Sequence, residues 1–81
     1  MKMKREDIFK DLEEIFKDVF DDEEIELCDE TTAEDIEDWD SLEQINLIVA
    51  IERKYNIKFN IAEVAEMKNV GDMVDCILKR I

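Results

Sequence analysis

The sequence predicts an all-α domain: a small four-helix bundle of three main helices plus one short helix, with a long loop between the first and second. Three observations predict it. Proline is absent and glycine occurs once, at Gly71, so the Asn-Gly and Asp-Gly punctuation of β-hairpins is missing. Apolar residues recur at helical spacing through most of the chain. Finally, half of the 24 acidic residues fall in one stretch, residues 21–40, which holds no Lys or Arg. Like-charge repulsion keeps such a run from forming a compact helix, so it reads as a loop.

The first helix is expected over Lys4 to Phe20. Ile8, Leu12, Ile15 and Val19 recur at spacings of four, three and four, and Phe9, Phe16 and Phe20 widen the same apolar stripe. The loop that follows is expected to be pinned by Ile25, Leu27 and Ile36. Thr31 and Thr32 stand at capping-box spacing from Glu34 and Asp35, which predicts a short helical turn near 33–37. A second helix begins at Ser41 and runs to about Tyr55, with Asp40 and Ser41 both suited to cap it. Its residues Leu42, Ile45, Leu47, Ile48, Val49 and Ile51 are apolar over more than one face, so part of that surface meets two other helices or is left for a partner. Asn56 to Asn60 is expected as an extended connection that plugs the core with Ile57 and Phe59. A short third helix spans Ile61 to Met67, with Ile61, Val64, Ala65 and Met67 facing inward. The last helix opens at Asn69, three residues before Asp72 in a variant of the capping box. It carries Val70, Met73, Val74, Ile77, Leu78 and Ile81 on one stripe, and Lys79 and Arg80 suit its carboxyl end. Ile15, Leu47, Ile51 and Ile77 are expected at the buried helix junction. No linker or repeat divides the chain, so residues 1–81 read as one domain.

Composition narrows the function. At 81 residues, folding hides only about 60% of the surface of the unfolded chain, which leaves little room for a deep private active site. A net charge of −13 repels nucleic acid and anionic membrane and attracts proteins with basic patches, although it also serves solubility alone. Histidine is absent, so the commonest general base and metal ligand is missing, and no catalytic residue or metal ligand is expected. Cys28 and Cys76 are isolated and read as small apolar side chains in a reducing compartment. No apolar run is long enough to span a membrane. The basic start Met1-Lys2-Met3-Lys4-Arg5 leads into an acidic amphipathic stretch rather than a signal core, which points to the cytoplasm.

The informative stretch is Asp38-Trp39-Asp40-Ser41-Leu42, followed by Glu43-Gln44-Ile45-Asn46-Leu47-Ile48-Val49-Ala50-Ile51-Glu52. It resembles the phosphopantetheine attachment site of acyl carrier proteins, in which an Asp-Ser-Leu triplet opens the second helix after a long loop. The resemblance covers nearly the whole chain in element order. It implies the acyl-carrier bundle, a covalent 4'-phosphopantetheine arm on Ser41 donated from coenzyme A, and acyl-type cargo held as a thioester. It implies a phosphopantetheinyl transferase and acyl-loading and acyl-transferring enzymes as partners of a monomer that is not itself an enzyme. Docking would fall to Asp40, Leu42, Glu43, Ile45, Asn46, Val49 and Glu52. Physics agrees with the placement, since a phosphate at a helix N-terminus meets free backbone N–H groups in a favourable field. No base stands beside Ser41 to make it a nucleophile. Trp39 reads as a core anchor under the loop or as a partner contact.

The chain also departs from the fatty-acid carriers. Asn46 stands where a glutamate is expected five residues after the serine, and Arg53 and Lys54 stand where more acid is usual. This favours a dedicated pathway over housekeeping fatty-acid synthesis. Phe59 and Val64 are bulky for the positions that line an acyl cavity, which favours short or polar cargo. The rival of a different class is an acidic helical interaction module without an arm, such as a docking adaptor or nucleic-acid mimic; intact mass after exposure to a transferase separates the two. A calcium-binding reading lacks the alternating Asp/Asn ligands and central glycine of an EF-hand.

Overall fold

Each helix begins at a cap residue in extended conformation. The computed structural model describes residues 3–81, and among them the regular elements are α1 (Arg5–Phe20), α2 (Ser41–Tyr55), α3 (Ile61–Glu66) and α4 (Val70–Leu78). Met1 and Lys2 of the basic start lie outside the described residues. The predicted all-α class and helix order hold, and α2 has the expected bounds. With its single glycine used elsewhere, the chain ends α1 and α2 on Asp21 and Asn56, both left-handed (φ 51° and 55°). Asp and Asn are the non-glycine residues that best tolerate that conformation. Asn60 and Asn69 cap α3 and α4, each side chain accepting an N–H three residues on at 2.8 Å.

The core is a three-way junction. Ile8, Leu12 and Phe16 of α1 meet Leu47 and Ile51 of α2 and Val70, Met73, Val74 and Ile77 of α4, all buried, and Ile25 of the loop closes one end. Burial of each such side chain contributes about 1.5–3 kcal/mol. The α1 stripe therefore centres on spacings of four. Ile15 and Val19, expected at its centre, are half-buried on its flank because Phe16 takes the middle of the junction.

The short third helix differs more. Val64 and Met67 are half-buried, but Ala65 is exposed and Ile61 is 90% exposed, so the expected inward face is only half present. α3 has no buried residue at all. At six residues it cannot present two turns of apolar stripe, and a polar fastener holds it instead. The Arg80 guanidinium pairs with Glu63, donates to the Lys58 carbonyl (2.7 Å) and lies 5.2 Å over the Phe59 ring. Ile81, placed on the α4 stripe by its spacing, lies beyond the helix end and is exposed. Cys28 also departs from its expected apolar role: it is exposed, with its sulfur 3.3 Å from Thr31 Oγ1.

The acidic loop is ordered by bonds at several points. Ile25 is buried and Leu27 and Ile36 are half-buried, as expected. Leu27 N–H donates to Glu13 Oε2 (2.9 Å), tying the loop to α1. The Val70 and Gly71 N–H groups, the first two of α4, donate to the Thr31 and Asp29 carbonyls at 2.9 and 3.1 Å. Arg5 straddles the same seam, pairing with Asp29 of the loop and Asp75 of α4. The turn expected near 33–37 is present without lengthening into a helix: Asp35 N–H bonds the Thr32 carbonyl (3.0 Å), and Thr32 N–H bonds the Asp35 carboxylate (2.9 Å).

Gly71 is where loop and helix approach most closely. A Cβ there would lie 2.7 Å from Asp29 Oδ1 and 3.0 Å from the Asp29 carbonyl oxygen. Replacing a helical glycine by alanine ordinarily stabilises. Gly71→Ala should instead lower stability, by about 1–3 kcal/mol, as overpacking does. Urea denaturation measures the change, and a variant as stable as the parent would contradict the seam.

Tyr55 supplies a pH-dependent tie. Its hydroxyl donates to Asp11 Oδ2 (2.7 Å), and burial, aided by that bond and by the Asp11 charge, holds the phenol well above its usual ionisation range. The folded state thus favours the neutral phenol. Its contribution is complete below the unfolded value of about 10 and is lost as pH rises beyond it. Tyr55→Phe should cost about 1 kcal/mol at pH 7, and its stability should converge on that of the parent above about pH 10. A gap that stays constant up to pH 11.5 would show that the bond is not what stabilises.

Candidate functional site

The site is built at the amino end of α2. Asp40 precedes the helix in extended conformation (φ −109°, ψ −170°), and its carboxylate accepts the Glu43 N–H at 2.9 Å. The Asp40 carbonyl accepts the Gln44 N–H at 2.9 Å. Asp40 is therefore the cap, and Ser41 is the first helical residue, exposed, with its hydroxyl free of the capping role. Among the described residues, the N–H groups of Ser41 and Leu42 are the two donors of this turn left without a protein partner.

The approach to Ser41 is tied to the core. Trp39 is half-buried, packed edge-on against Phe16 (5.1 Å, 88°), with its ring N–H donating to Gln44 Oε1 at 2.8 Å. Of the two roles open to it in the sequence, the structure gives it that of core anchor. Asp38 is left-handed (φ 71°), and its carbonyl accepts the Asp40 N–H at 3.0 Å. This tight reversal turns the chain from loop to helix three residues before Ser41.

The remaining expected docking residues divide by what they do. Leu42, Ile45 and Val49 form an apolar row on α2 at 65, 59 and 40% exposure. Glu43 and Asn46 bond each other (2.6 Å) beside that row, and Asn46 is exposed. Glu52 does something the sequence did not disclose: its carboxylate accepts the Phe59 N–H (2.9 Å) and so fastens the connection to α3. That bond forms only when Asn56 reverses the chain, so spacing alone carries no signal of it.

Ser41 opens onto a groove of about 540 Å³ between the start of α2 and α3. Its walls are apolar at Trp39, Ile45, Val64 and Met67, and Lys68 stands at the joint of α3 and α4. Val64 lines it as expected, whereas Phe59 is turned to the Arg80 guanidinium and is not among its lining residues. These features fit the phosphopantetheine arm: an exposed hydroxyl, two open N–H donors at a helix N-terminus for a phosphodiester, and an apolar groove alongside. Among the described residues, no cluster of His, Cys, Asp and Glu is arranged to hold a metal ion.

Known proteins with this arrangement are similar to the chain. The family model described as "Phosphopantetheine attachment site" matches residues 10–77. An acyl carrier protein of Coprothermobacter proteolyticus is 33% identical over 75 residues, 93% of this chain and 92% of that protein. The solution NMR structure of a holo acyl carrier protein from Geobacter metallireducens superposes with a TM-score of 0.84 at 49% identity, covering 89% of this chain and 83% of that one.

Asp38 gives a local test of the approach. Asp38→Ala and Asp38→Gly both remove the carboxylate, so they differ in backbone preference alone. Glycine should be the more stable of the two by about 1 kcal/mol, because only it takes the left-handed conformation freely. Equal urea midpoints would mean that the turn relaxes.

Proposed function

The chain belongs to the acyl carrier protein family, and on that premise we propose that Ser41 is the residue that bears the phosphopantetheine prosthetic group. When bound, the arm supplies a terminal thiol that holds acyl groups as thioesters. The observation that carries the assignment is the geometry of one turn: Asp40 caps α2 through Glu43, leaving the Ser41 hydroxyl exposed beside two open N–H groups. This chain's own part is to position the arm, offer it those donors and present a surface to enzymes. The chemistry falls to the enzymes that use it: the Asp40 carboxylate beside Ser41 is engaged in capping α2, and the chain has no histidine to serve as a base. One carrier domain over residues 1–81, acting as a monomer, is sufficient for that role. A phosphopantetheinyl transferase loads it, and acyl-loading and acyl-transferring enzymes use it.

Those partners meet Asp40, Glu43 and the row Leu42, Ile45 and Val49, with Asn46 among them. Glu52 contributes at the far end of the face while bonding Phe59. The reading of a dedicated pathway rests on charge. Asn46 is neutral, and Arg53 and Lys54 are exposed at the end of α2. An enzyme patch built to meet an evenly acidic helix therefore finds a mixed one here. Mixed charge on a docking face alters partner choice more than affinity. Among the described residues no helix is long and apolar enough to cross a membrane. The cytoplasm suits the reading, because a thiol-ended arm and two free cysteines are kept reduced there.

Incubation with coenzyme A and a phosphopantetheinyl transferase, followed by intact-mass measurement, tests the assignment. The parent should gain one arm. Ser41→Ala should gain none while melting cooperatively within about 0.5 kcal/mol of the parent, as exposed substitutions do. A parent that is never modified would return the acidic interaction module as the better reading, and a modified alanine variant would move the site elsewhere.

A further inference from the structure

Taking Ser41 as the attachment point, we infer that Lys68 is the anion-pairing residue of the adjoining groove. Its ammonium would receive either the phosphodiester of the arm or a carboxylate carried by the cargo. Lys68 is the one cation that lines the groove onto which Ser41 opens. The chain has 11 basic residues against 24 acidic ones, so each cation has a surplus of possible partners. Arg5, Lys54 and Arg80 are paired with carboxylates; Lys68 is one of seven cations in no ion pair among the described residues, and of those seven it is the one that lines this groove. Its backbone is nevertheless held, because its N–H donates to Asp72 Oδ2 at 3.0 Å. The lysine is thus fixed at its root, at the joint of α3 and α4, and lines both this groove and the neighbouring one that holds Glu63, Glu66, Asp72 and Asp75.

The surroundings define what its ammonium suits. Trp39, Ile45, Val64 and Met67 make the groove walls apolar. The Asp40 carboxylate at the groove is already engaged with the Glu43 N–H. A wholly aliphatic acyl chain would use the walls and leave the cation idle. An anionic group entering the groove would meet its single counter-charge at Lys68. The phosphodiester has a need of its own for such a partner. It would join Ser41 beside Asp40 and Glu43, on a protein of net charge −13, where the two open N–H groups of α2 are otherwise its sole favourable contacts.

The test uses the full chain, loaded with coenzyme A, butyryl-coenzyme A or succinyl-coenzyme A by a broad-specificity transferase. Intact mass first establishes that every form is loaded, so a failure at Ser41 is separated from a failure at Lys68. The Lys68 side-chain resonances are then followed by NMR in the apo, arm-bearing, butyryl and succinyl forms, beside thermal melts of the parent, Lys68→Gln and Lys68→Arg. A Lys68 shift on attachment of the arm alone, with the accompanying melting change lost in Lys68→Gln and kept in Lys68→Arg, assigns the phosphodiester. A shift confined to the succinyl form, with the same pattern between the variants, assigns a cargo carboxylate. Loaded proteins whose Lys68 signals stay at their apo positions, and whose melting changes are unaltered in Lys68→Gln, would overturn the inference.

Discussion

The structure depends on the seam where the loop closes the first turn of α4. Every helix begins with backbone N–H groups that have no partner inside the helix. In α4 the Asn69 side chain takes one, and the carbonyls of Thr31 and Asp29 take the two before it. Such bonding requires backbone to approach backbone, and Gly71 permits it because any Cβ would intrude on Asp29. Arg5 then spans the seam from α1, pairing with the loop and with α4 together. A loop carrying twelve acidic residues is held on the bundle by its apolar anchors Ile25, Leu27, Ile36 and Trp39 and by this seam. The acceptors it gives α4 fix where it lies, and from there Trp39 and the Asp38 reversal deliver the chain to Ser41.

The same physics, left incomplete, makes the functional end. α2 begins much as α4 does, with an Asx cap taking the third N–H of the helix. No loop carbonyl covers the first two donors of α2 among the described residues. One helix start is closed by the chain itself, and the other is left open beside Ser41, the proposed attachment residue. Asp40 and Glu43 suit the helix field at this end, but they repel a second anion placed between them. An arm fixed there gains from the helix field and from the two donors, and it suffers from the neighbouring acids.

Much of this was legible in the sequence, and the misses share one cause. Caps and periods are local, so Asp40, Asn69, the bounds of α2 and the order of helices followed from spacing. The Asp-Ser-Leu stretch pointed to the proposed site through its resemblance to a family motif rather than through period. Which flank of an apolar stripe reaches the centre is decided by packing partners far along the chain. Ile15 and Phe16 were indistinguishable by period, and Phe16 took the junction by meeting Trp39. The role of Gly71 depended on Asp29, that of Glu52 on Phe59, and that of Lys68 on a groove formed by three separate segments. α3 was misjudged because period implies an inward face only where something is packed against it.

That last element bears on how the carrier works. α1, α2 and α4 are held by side chains that are wholly buried, where a single truncation costs about 2–5 kcal/mol. α3 is held by half-buried Val64 and Met67 and by Arg80, through an ion pair with Glu63 and a guanidinium over Phe59. Partly exposed contacts of that kind contribute little, because solvent screens them. The Glu63 carboxylate is held below its usual ionisation range chiefly by its bond to Arg80, so the fastener persists at neutral pH and weakens with acid. Local opening follows the lowest local stability. The wall of the groove beside Ser41 is thus the least tightly held part of the bundle, while the turn that positions Ser41 is tied to Phe16 at its centre. If Ser41 bears the arm as proposed, its turn is tied to the core through Trp39 and Phe16, whereas the groove wall beside it is held by weaker contacts that local opening can release.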